Sequence, residues 1–502
     1  MNSNPSNTAS RPLTKQDPKQ DANYVFYELT RSICPTCRRV IDAHILLRDN
    51  KVFMRKRCPE HGEFEALIYG DAQAYTHSTM FNKPGAIPLH YSTDIVHGCP
   101  HDCGLCPDHQ QHACVGIIEV NSACNMDCPL CFADAGAGFN LTLAEVERIL
   151  DNFVKTEGVG EVLQFSGGEP SIHPDIVAMM RAAQARDIRH LMLNTNGKRI
   201  ARDDAFLAEL ADIRPALYFQ FDGFDSETYR LIRGEPDILP EKLRALDRLA
   251  EINCPVILVP AIERGINEHE VGPIIEFALA HPAVFGINFQ PAFHSGRHLA
   301  HTPLERLTIP DLIRLIEDQT DGQFIKADFV PIPCRFPTCN SVTYAYVEGD
   351  TVIPLPRILE VEDYLDYISN RAFISVADDI KTALEGLWSS SAVPGMDKAV
   401  KNFALTCAAC GLPEGLEGIA DHMFMIMFQD FMDPWTFNQK NLMKCCKEIL
   451  LPDGKQIPFC AYNNVGYREQ ARAQLTAQEP ARHKARRAGV PFEPQPLMFS
   501  FE

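Results

Sequence analysis

The sequence predicts an α/β protein built around a partial (β/α)6 barrel, and three observations carry that prediction. First, from about residue 136 to 316 short apolar runs alternate with helical periodicity, the pattern of repeated β/α units on a parallel sheet. Second, five of those runs place as strands at 161–165, 190–193, 217–221, 256–260 and 286–290, with helices between them at 174–186, 203–211, 240–252 and 268–280. A sixth strand at 115–120 precedes them. Third, neither flank carries a long periodic pattern, so the regular core is confined to the middle of the chain. Six parallel strands bend into an open barrel, short of the closed eight-stranded form.

The 502 residues are enough for a large core and divide into four parts. Residues 1–23, rich in Asn, Ser, Gln, Pro and Lys and lacking an apolar signal core, read as a disordered lead-in. An N-terminal metal-binding module spans 24–110, the barrel 111–319, and a C-terminal cysteine-bearing region 320–502. Strand-like stretches at 52–55 and 64–69 fall in the first module.

Hydrophobic content of 45% and charged content of 23% suit a globular enzyme, and no apolar run reaches the roughly 18 residues of a membrane span. A net charge of -19 argues against nucleic acid, whose phosphates are neutralised by clustered Lys and Arg. A cytoplasmic location follows as the expectation. Only Arg482, His483, Lys484, Arg486 and Arg487 form a basic run, read as a solvated terminal segment or as a peripheral contact with anionic head groups.

Eighteen cysteines in a chain without an export signal point to metal rather than disulfides, because the cytosol keeps thiols reduced. Most are clustered. In Cys124-Asn-Met-Asp-Cys128-Pro-Leu-Cys131 three thiols follow a strand in one tight loop, a spacing that fits three corners of a 4Fe-4S cluster. A closed structural site takes a fourth ligand, and none follows nearby, so one iron is left open for a substrate or cofactor. Ser166-Gly167-Gly168-Glu169-Pro170 ends the next strand. Together the two motifs resemble the radical S-adenosylmethionine (SAM) superfamily.

That resemblance implies that Cys124, Cys128 and Cys131 hold the cluster and that its open iron binds the amino and carboxylate groups of SAM, which reduction cleaves to methionine and a 5'-deoxyadenosyl radical. Gly167 and Gly168 allow close backbone approach to the methionine moiety, and Glu169 accepts from its ammonium group. By the same resemblance Asn196 and Asp222, at the ends of later strands, contact SAM or its ribose. Asn196 also reads as a turn residue before Gly197, and Asp222 as a helix cap. Leu130 stands where many relatives carry an aromatic residue, with Phe132 soon after.

The outer cysteines read as three further sites. Cys34-Pro-Thr-Cys37 with Cys58-Pro-Glu-His61 has the two-knuckle form of a rubredoxin-like or zinc-ribbon site for mononuclear iron or zinc. Cys99, Cys103 and Cys106 repeat the central spacing without a following Gly-Gly-Glu and read as an auxiliary 4Fe-4S site, with Cys334 or Cys339 as the fourth ligand. Cys407, Cys410, Cys445 or Cys446, and Cys460 read as a second auxiliary cluster, the adjacent Cys445 and Cys446 serving different centres. Auxiliary clusters hold substrate or pass an electron. Cys114 and Cys254 read as buried small apolar side chains.

The order of these motifs, with Gly98 to His112 running Gly-Cys-Pro-His-Asp-Cys-Gly-Leu-Cys-Pro-Asp-His-Gln-Gln-His, resembles the archaeal tetraether synthase group over nearly the full chain. Pro333-Cys334-Arg335-Phe336-Pro337-Thr338-Cys339 and Ile457-Pro458-Phe459-Cys460-Ala461-Tyr462-Asn463 fit it too. Members carry a rubredoxin-like centre and several 4Fe-4S clusters, and they join unactivated lipid chains, while some are named methyltransferases of a pterin precursor. The resemblance implies hydrogen abstraction from an unactivated lipid carbon followed by carbon-carbon coupling, with a donor such as ferredoxin or flavodoxin. The apolar stretch from Met423 to Phe428, with Phe431 and Met432, suits an acyl tunnel or else a buried helix or strand. Alternatives are radical methylation of a pterin precursor, peptide modification, and a non-enzymatic metal-binding scaffold or electron carrier.

Overall fold

The computed structural model describes residues 22–332, 335–357, 422–488, 490 and 492–501. The lead-in, except for its last two residues, and the candidate ligands Cys334, Cys407 and Cys410 lie outside these.

The N-terminal module is a four-stranded antiparallel sheet in the order β1 (Val25–Ile33), β2 (Val40–Arg48), β3 (Lys51–Cys58), β4 (Gly62–Tyr69). Alternation along β2 and β3 buries Ala43, Ile45, Val52 and Met54 against the rest of the molecule and leaves Asp42 and His44 outside. A small separate cluster of Cys34, Ile41 and Cys58, packed by Phe64, lies toward the metal end.

The barrel has the six predicted parallel strands: β5 (Val115–Asn121), β6 (Gly160–Gly167), β7 (Ile188–Thr195), β8 (Ala216–Gln220), β9 (Val256–Val259) and, after the short β10 (Ala261–Ile262), β11 (Val284–Pro291). Pro260 separates β9 from β10 because it has no N–H to donate. The predicted helices form as Ile176–Gln184, Asp204–Ile213, Leu239–Glu251 and Val271–Ala280. A further helix, Leu143–Glu157, joins β5 to β6 and starts at a capping box in which Thr142 and Glu145 satisfy each other's backbone N–H groups.

The C-terminal region adds strands to both edges of this sheet. Here β12 (Asn340–Glu348), β13 (Thr351–Pro354) and β14 (Met423–Gln429) follow β11, with β14 parallel to β11 and antiparallel to β12. At the other edge β15 (Lys447–Leu450) pairs parallel with β5, and β16 (Gln456–Pro458) pairs antiparallel with β15. Eight parallel strands therefore run from β15 through to β14. The apolar stretch from Met423 to Phe428 lies in strand β14, hydrogen-bonded on both sides, and none of these six residues lines the cavity at the barrel's strand ends, whereas Phe431, just beyond the strand, does.

The basic run is neither fully solvated nor free. It forms the helix Glu479–Ala488, in which Arg482 is buried against Glu145 (2.9 Å) and Arg486 pairs with Asp175 (3.0 Å). Among the described residues no helix is long and apolar enough to cross a membrane.

Candidate active site and metal centres

Strand ends of a parallel sheet converge on one crevice, and here they line a cavity of about 180 Å³ together with Cys124, Cys128 and Cys131. The cysteine loop leaves β5 at Asn121 and is tied to the end of β6 by backbone bonds: Gly168 N–H donates to Asn121 (2.9 Å) and Glu169 N–H to Ala123 (2.8 Å). A β-carbon added at Gly167, whose φ is 139°, would lie only 2.2 Å from the Asn121 carbonyl oxygen, and one at Gly168 only 2.1 Å from that of Ala123. No side chain fits at either position.

Glu169 is buried and accepts from Ser171 N–H (3.0 Å), the Thr195 hydroxyl (2.8 Å) and Asn196 N–H (2.8 Å). Burial raises its pKa against these bonds. Asn196 does two jobs: its Oδ1 accepts from Lys198 N–H (3.0 Å) in a turn, and its Nδ2 donates to Asn125 in the cysteine loop (2.7 Å).

Asp222 does not line the cavity, contrary to expectation. Both its oxygens take the Arg233 guanidinium at 2.7 Å, and Ala261 N–H donates to it as well (3.0 Å), so Arg233 is the group that faces the cavity. It is also not a helix cap. Arg233 carries no sequence signal; it reaches the site only because the helix Ser226–Arg233 ends against the cysteine loop.

Arg297 carries no such signal either. Its backbone forms a two-bond antiparallel bridge with Cys131 (2.8 and 3.0 Å), and its side chain pairs with Asp127. Leu130 packs with Ile232 and Ala292, while Phe132 joins Phe293, Phe431 and Phe459 in an aromatic wall with ring centroids 4.4 to 5.4 Å apart along its chain of contacts. Phe431 follows β14 and Phe459 follows β16, so this wall connects the last strand at one end of the parallel run with the β15–β16 pair at the other.

The donor set fits a cluster and SAM. Burial pushes the Cys124 thiol up to about 12 and raises that of Cys128, a cost that disappears when metal replaces the proton. Gly167 and Gly168 let the backbone before Cys124 pack directly on the end of β6, which fixes where the three thiols stand at the cavity.

The N-terminal site has a different scale. The ligand atoms of Cys34, Cys37, Cys58 and His61 all lie within 4.8 Å of one another, as around a single ion. His61 presents Nδ1, at 3.7 Å from the Cys34 sulfur and 3.5 Å from that of Cys58. Among the described residues no other group of three or more such ligands is as tight.

Cys99, Cys103 and Cys106 line one small cavity with His109 and Pro458. Cys339, expected beside them, lines another with Asp430 and Asn441, because Asp430 N–H bonds to the Cys339 carbonyl (2.9 Å) as β12 enters its pairing with β14. Burial, then Cys460, raises the Cys339 pKa, and burial, Glu448 and Cys460 raise that of Cys445, so these three share one neighbourhood. Cys446 is near His109 and Glu448, which also adjoin Cys445: the His109 ring is 2.8 Å from the Cys445 carbonyl oxygen. Burial lowers His109 to about 4, and burial, then Cys446, raises Glu448 well above its ordinary value; the two side chains are 3.6 Å apart.

The radical SAM superfamily matches residues 118–278, and the HMPTM N-terminal zinc ribbon domain matches residues 26–70. A Methanocaldococcus jannaschii protein named 7,8-dihydro-6-hydroxymethylpterin dimethyltransferase is 34% identical over 478 residues, covering 88% of this chain and 94% of its own. A probable GTP 3',8-cyclase of Methanothermobacter thermautotrophicus is 30% identical over 173 residues, 34% of this chain and 55% of its own. Among solved structures, Streptococcus suis SuiB aligns with a TM-score of 0.36 at 17% identity, over 42% of this chain and 46% of its own. SAM and a 4Fe-4S cluster are accordingly its cofactors, with a mononuclear metal in the ribbon. The two family matches and the near full-length relative show that the chain belongs to the family of that M. jannaschii protein and is a radical SAM enzyme.

Proposed function

We propose that this enzyme methylates a pterin precursor by radical chemistry. The near end-to-end similarity to the M. jannaschii protein carries the reading, because it takes in the ribbon, the barrel and the C-terminal strands together. The cavity supports it. Gln164, Asn194, Tyr218 and Gln290 offer donors and acceptors suited to a heterocycle, and the Phe431–Phe459 wall offers flat faces for stacking. Met423 to Phe428, which suited a lipid chain, are inside the sheet.

When bound at Cys124, Cys128 and Cys131, the cluster with SAM supplies a hydrogen-abstracting radical. The chain's own groups do the rest. Gly167, Gly168, Glu169 and Asn196 seat the methionine end, Arg233 holds its charge against the cysteine loop while Asp222 fixes its orientation, and the aromatic wall excludes water from the reacting face.

Anaerobically reconstituted enzyme with dithionite and 7,8-dihydro-6-hydroxymethylpterin should give 5'-deoxyadenosine and a methylated pterin, with label arriving from methyl-labelled SAM or a folate donor. Chain-linked lipid from a lipid extract, with the pterin unchanged, would overturn the reading in favour of coupling.

A further inference from the structure

Two carboxylates line the cavity among the described residues, and they are differently committed. Glu169 already accepts three hydrogen bonds from Ser171, Thr195 and Asn196 beside the cysteine loop. Glu119, on β5, has a different surrounding. Arg468 Nη1 lies 2.6 Å from its Oε1, and the Tyr462 hydroxyl donates to its Oε2 at 3.1 Å. An ionised carboxylate accepts about four hydrogen bonds, so each oxygen keeps a lone pair for a ligand.

The placement of Glu119 is heavily determined. Arg468 is buried, donates to Asn463 (3.0 Å), and lies over the rings of Tyr462 (4.9 Å) and Phe132 (5.8 Å). Phe132 is itself part of the aromatic wall, 5.4 Å from Phe459. One rigid unit thus joins a flat apolar face to a carboxylate with both oxygens oriented. Its register partner on β6 is Ser166, and Gln164, opposite Ile117, and Lys447, opposite Val115, line the same cavity further back along the strands. Such a carboxylate matches a ligand edge that presents two parallel N–H donors, as an amino group next to a ring N–H does.

We propose that Glu119 is the binding residue that reads the amino and ring N–H pair of a 2-amino-4-oxopyrimidine ring in the substrate, with Arg468 and Tyr462 as its positioning residues. This rests on the pterin reading and names the part of the ring that the site recognises. The aromatic wall takes the face of the ring and Glu119 takes its edge. A hydrocarbon chain has no group for this carboxylate.

Equilibrium dialysis on the cluster-loaded, SAM-bound enzyme compares 7,8-dihydro-6-hydroxymethylpterin with its 2-oxo counterpart, which lacks the amino donor. Wild type should bind the 2-oxo compound about 100-fold more weakly, since a buried acceptor then loses its partner. Glu119→Gln should reduce that discrimination to about threefold, and Tyr462→Phe should reduce it partway while leaving cluster content unchanged. If Glu119→Gln does not fold, the wild-type comparison decides alone. Equal binding of both compounds by wild type would sink the assignment of Glu119 and leave the pterin reading standing. Binding of neither compound, under conditions where SAM binds, would remove the pterin reading and this inference with it.

Discussion

At position 168 a single methyl group is enough to disturb the site. A β-carbon there would lie 2.1 Å from the Ala123 carbonyl oxygen and 2.6 Å from that of Ser122, both backbone atoms leading into Cys124. The loop must yield, because backbone has no rotamer to change. Gly168→Ala should lower SAM affinity by about 10-fold or more, an overpacking cost of ~1–3 kcal/mol, measured by equilibrium dialysis. Gly136→Ala, with nothing within 4 Å of the added carbon, is the control and should bind as wild type. A second residue carries a pH effect. His294 is buried with Nε2 3.3 Å from Glu263 and Nδ1 3.5 Å from Asp433; burial works against its charge, but the two neighbouring carboxylates outweigh it and raise its pKa above the ordinary 6.5. The folded state therefore binds the proton more tightly than the unfolded chain. Its stabilisation is complete below about pH 6.5 and is lost as pH rises through the raised value. Thermal unfolding followed from pH 6 to 9 should show this decline in wild type and a flatter profile in His294→Gln; parallel profiles would show that His294 is not its source.

At the scale of elements, a barrel helix and the C-terminal helix are joined by a buried ion pair. Glu145 caps the helix Leu143–Glu157 and also receives Arg482 from the helix Glu479–Ala488. Arg482→Ala leaves a buried carboxylate without its partner, and loss of one member of such a pair costs about 3–5 kcal/mol. The melting temperature should fall by several degrees, whereas Arg486→Ala, at an exposed pair with Asp175, should change it little. The same contact explains a limit of sequence reading. A run of Arg, His and Lys is compatible with solvent or with an anionic surface, and only the approach of a helix more than 300 residues away decides that Arg482 turns inward. The barrel strands were legible because apolar runs and helical periods are local signals. By contrast β15 is four residues long and is held as a strand by pairing with β5 on one side and β16 on the other. Cys124, Cys128, Cys131 and the glycines at 167 and 168 were legible for the same local reason, their spacing being the geometry. Arg233, Arg297 and Glu119 came into view only with tertiary structure, since each owes its position to a partner distant in sequence.

At the scale of the whole molecule, the metal ribbon is attached to the catalytic cavity through a short segment of the C-terminal region. Lys56 of β3 donates to the Pro434 carbonyl (2.7 Å) and to Ser32 (2.9 Å), and Thr30 of β1 donates to Asn438 (2.7 Å). Phe64 packs edge-on against Trp435 at 5.4 Å. These contacts grip Pro434, Trp435 and Asn438, which begin three residues after Phe431, a member of the aromatic wall. The ribbon's own apolar cluster at the metal end holds only Cys34, Ile41 and Cys58 with Phe64, too little to keep that end ordered without an ion. Cys37→Ala removes one ligand and should reduce the chain's mononuclear metal, read by elemental analysis. Hydrogen exchange should then quicken in β1–β4 and in residues 430–438 while β5–β9 stay protected. Because Phe431 belongs to the aromatic wall proposed to take the substrate and not to the Gly167–Gly168 turn, the variant should raise KM for the substrate more than it alters 5'-deoxyadenosine formation without substrate. Equal loss of both activities would mean that the ribbon supports the barrel as a whole, and unchanged exchange in 430–438 would mean that the ribbon's metal does not act on the cavity through this segment.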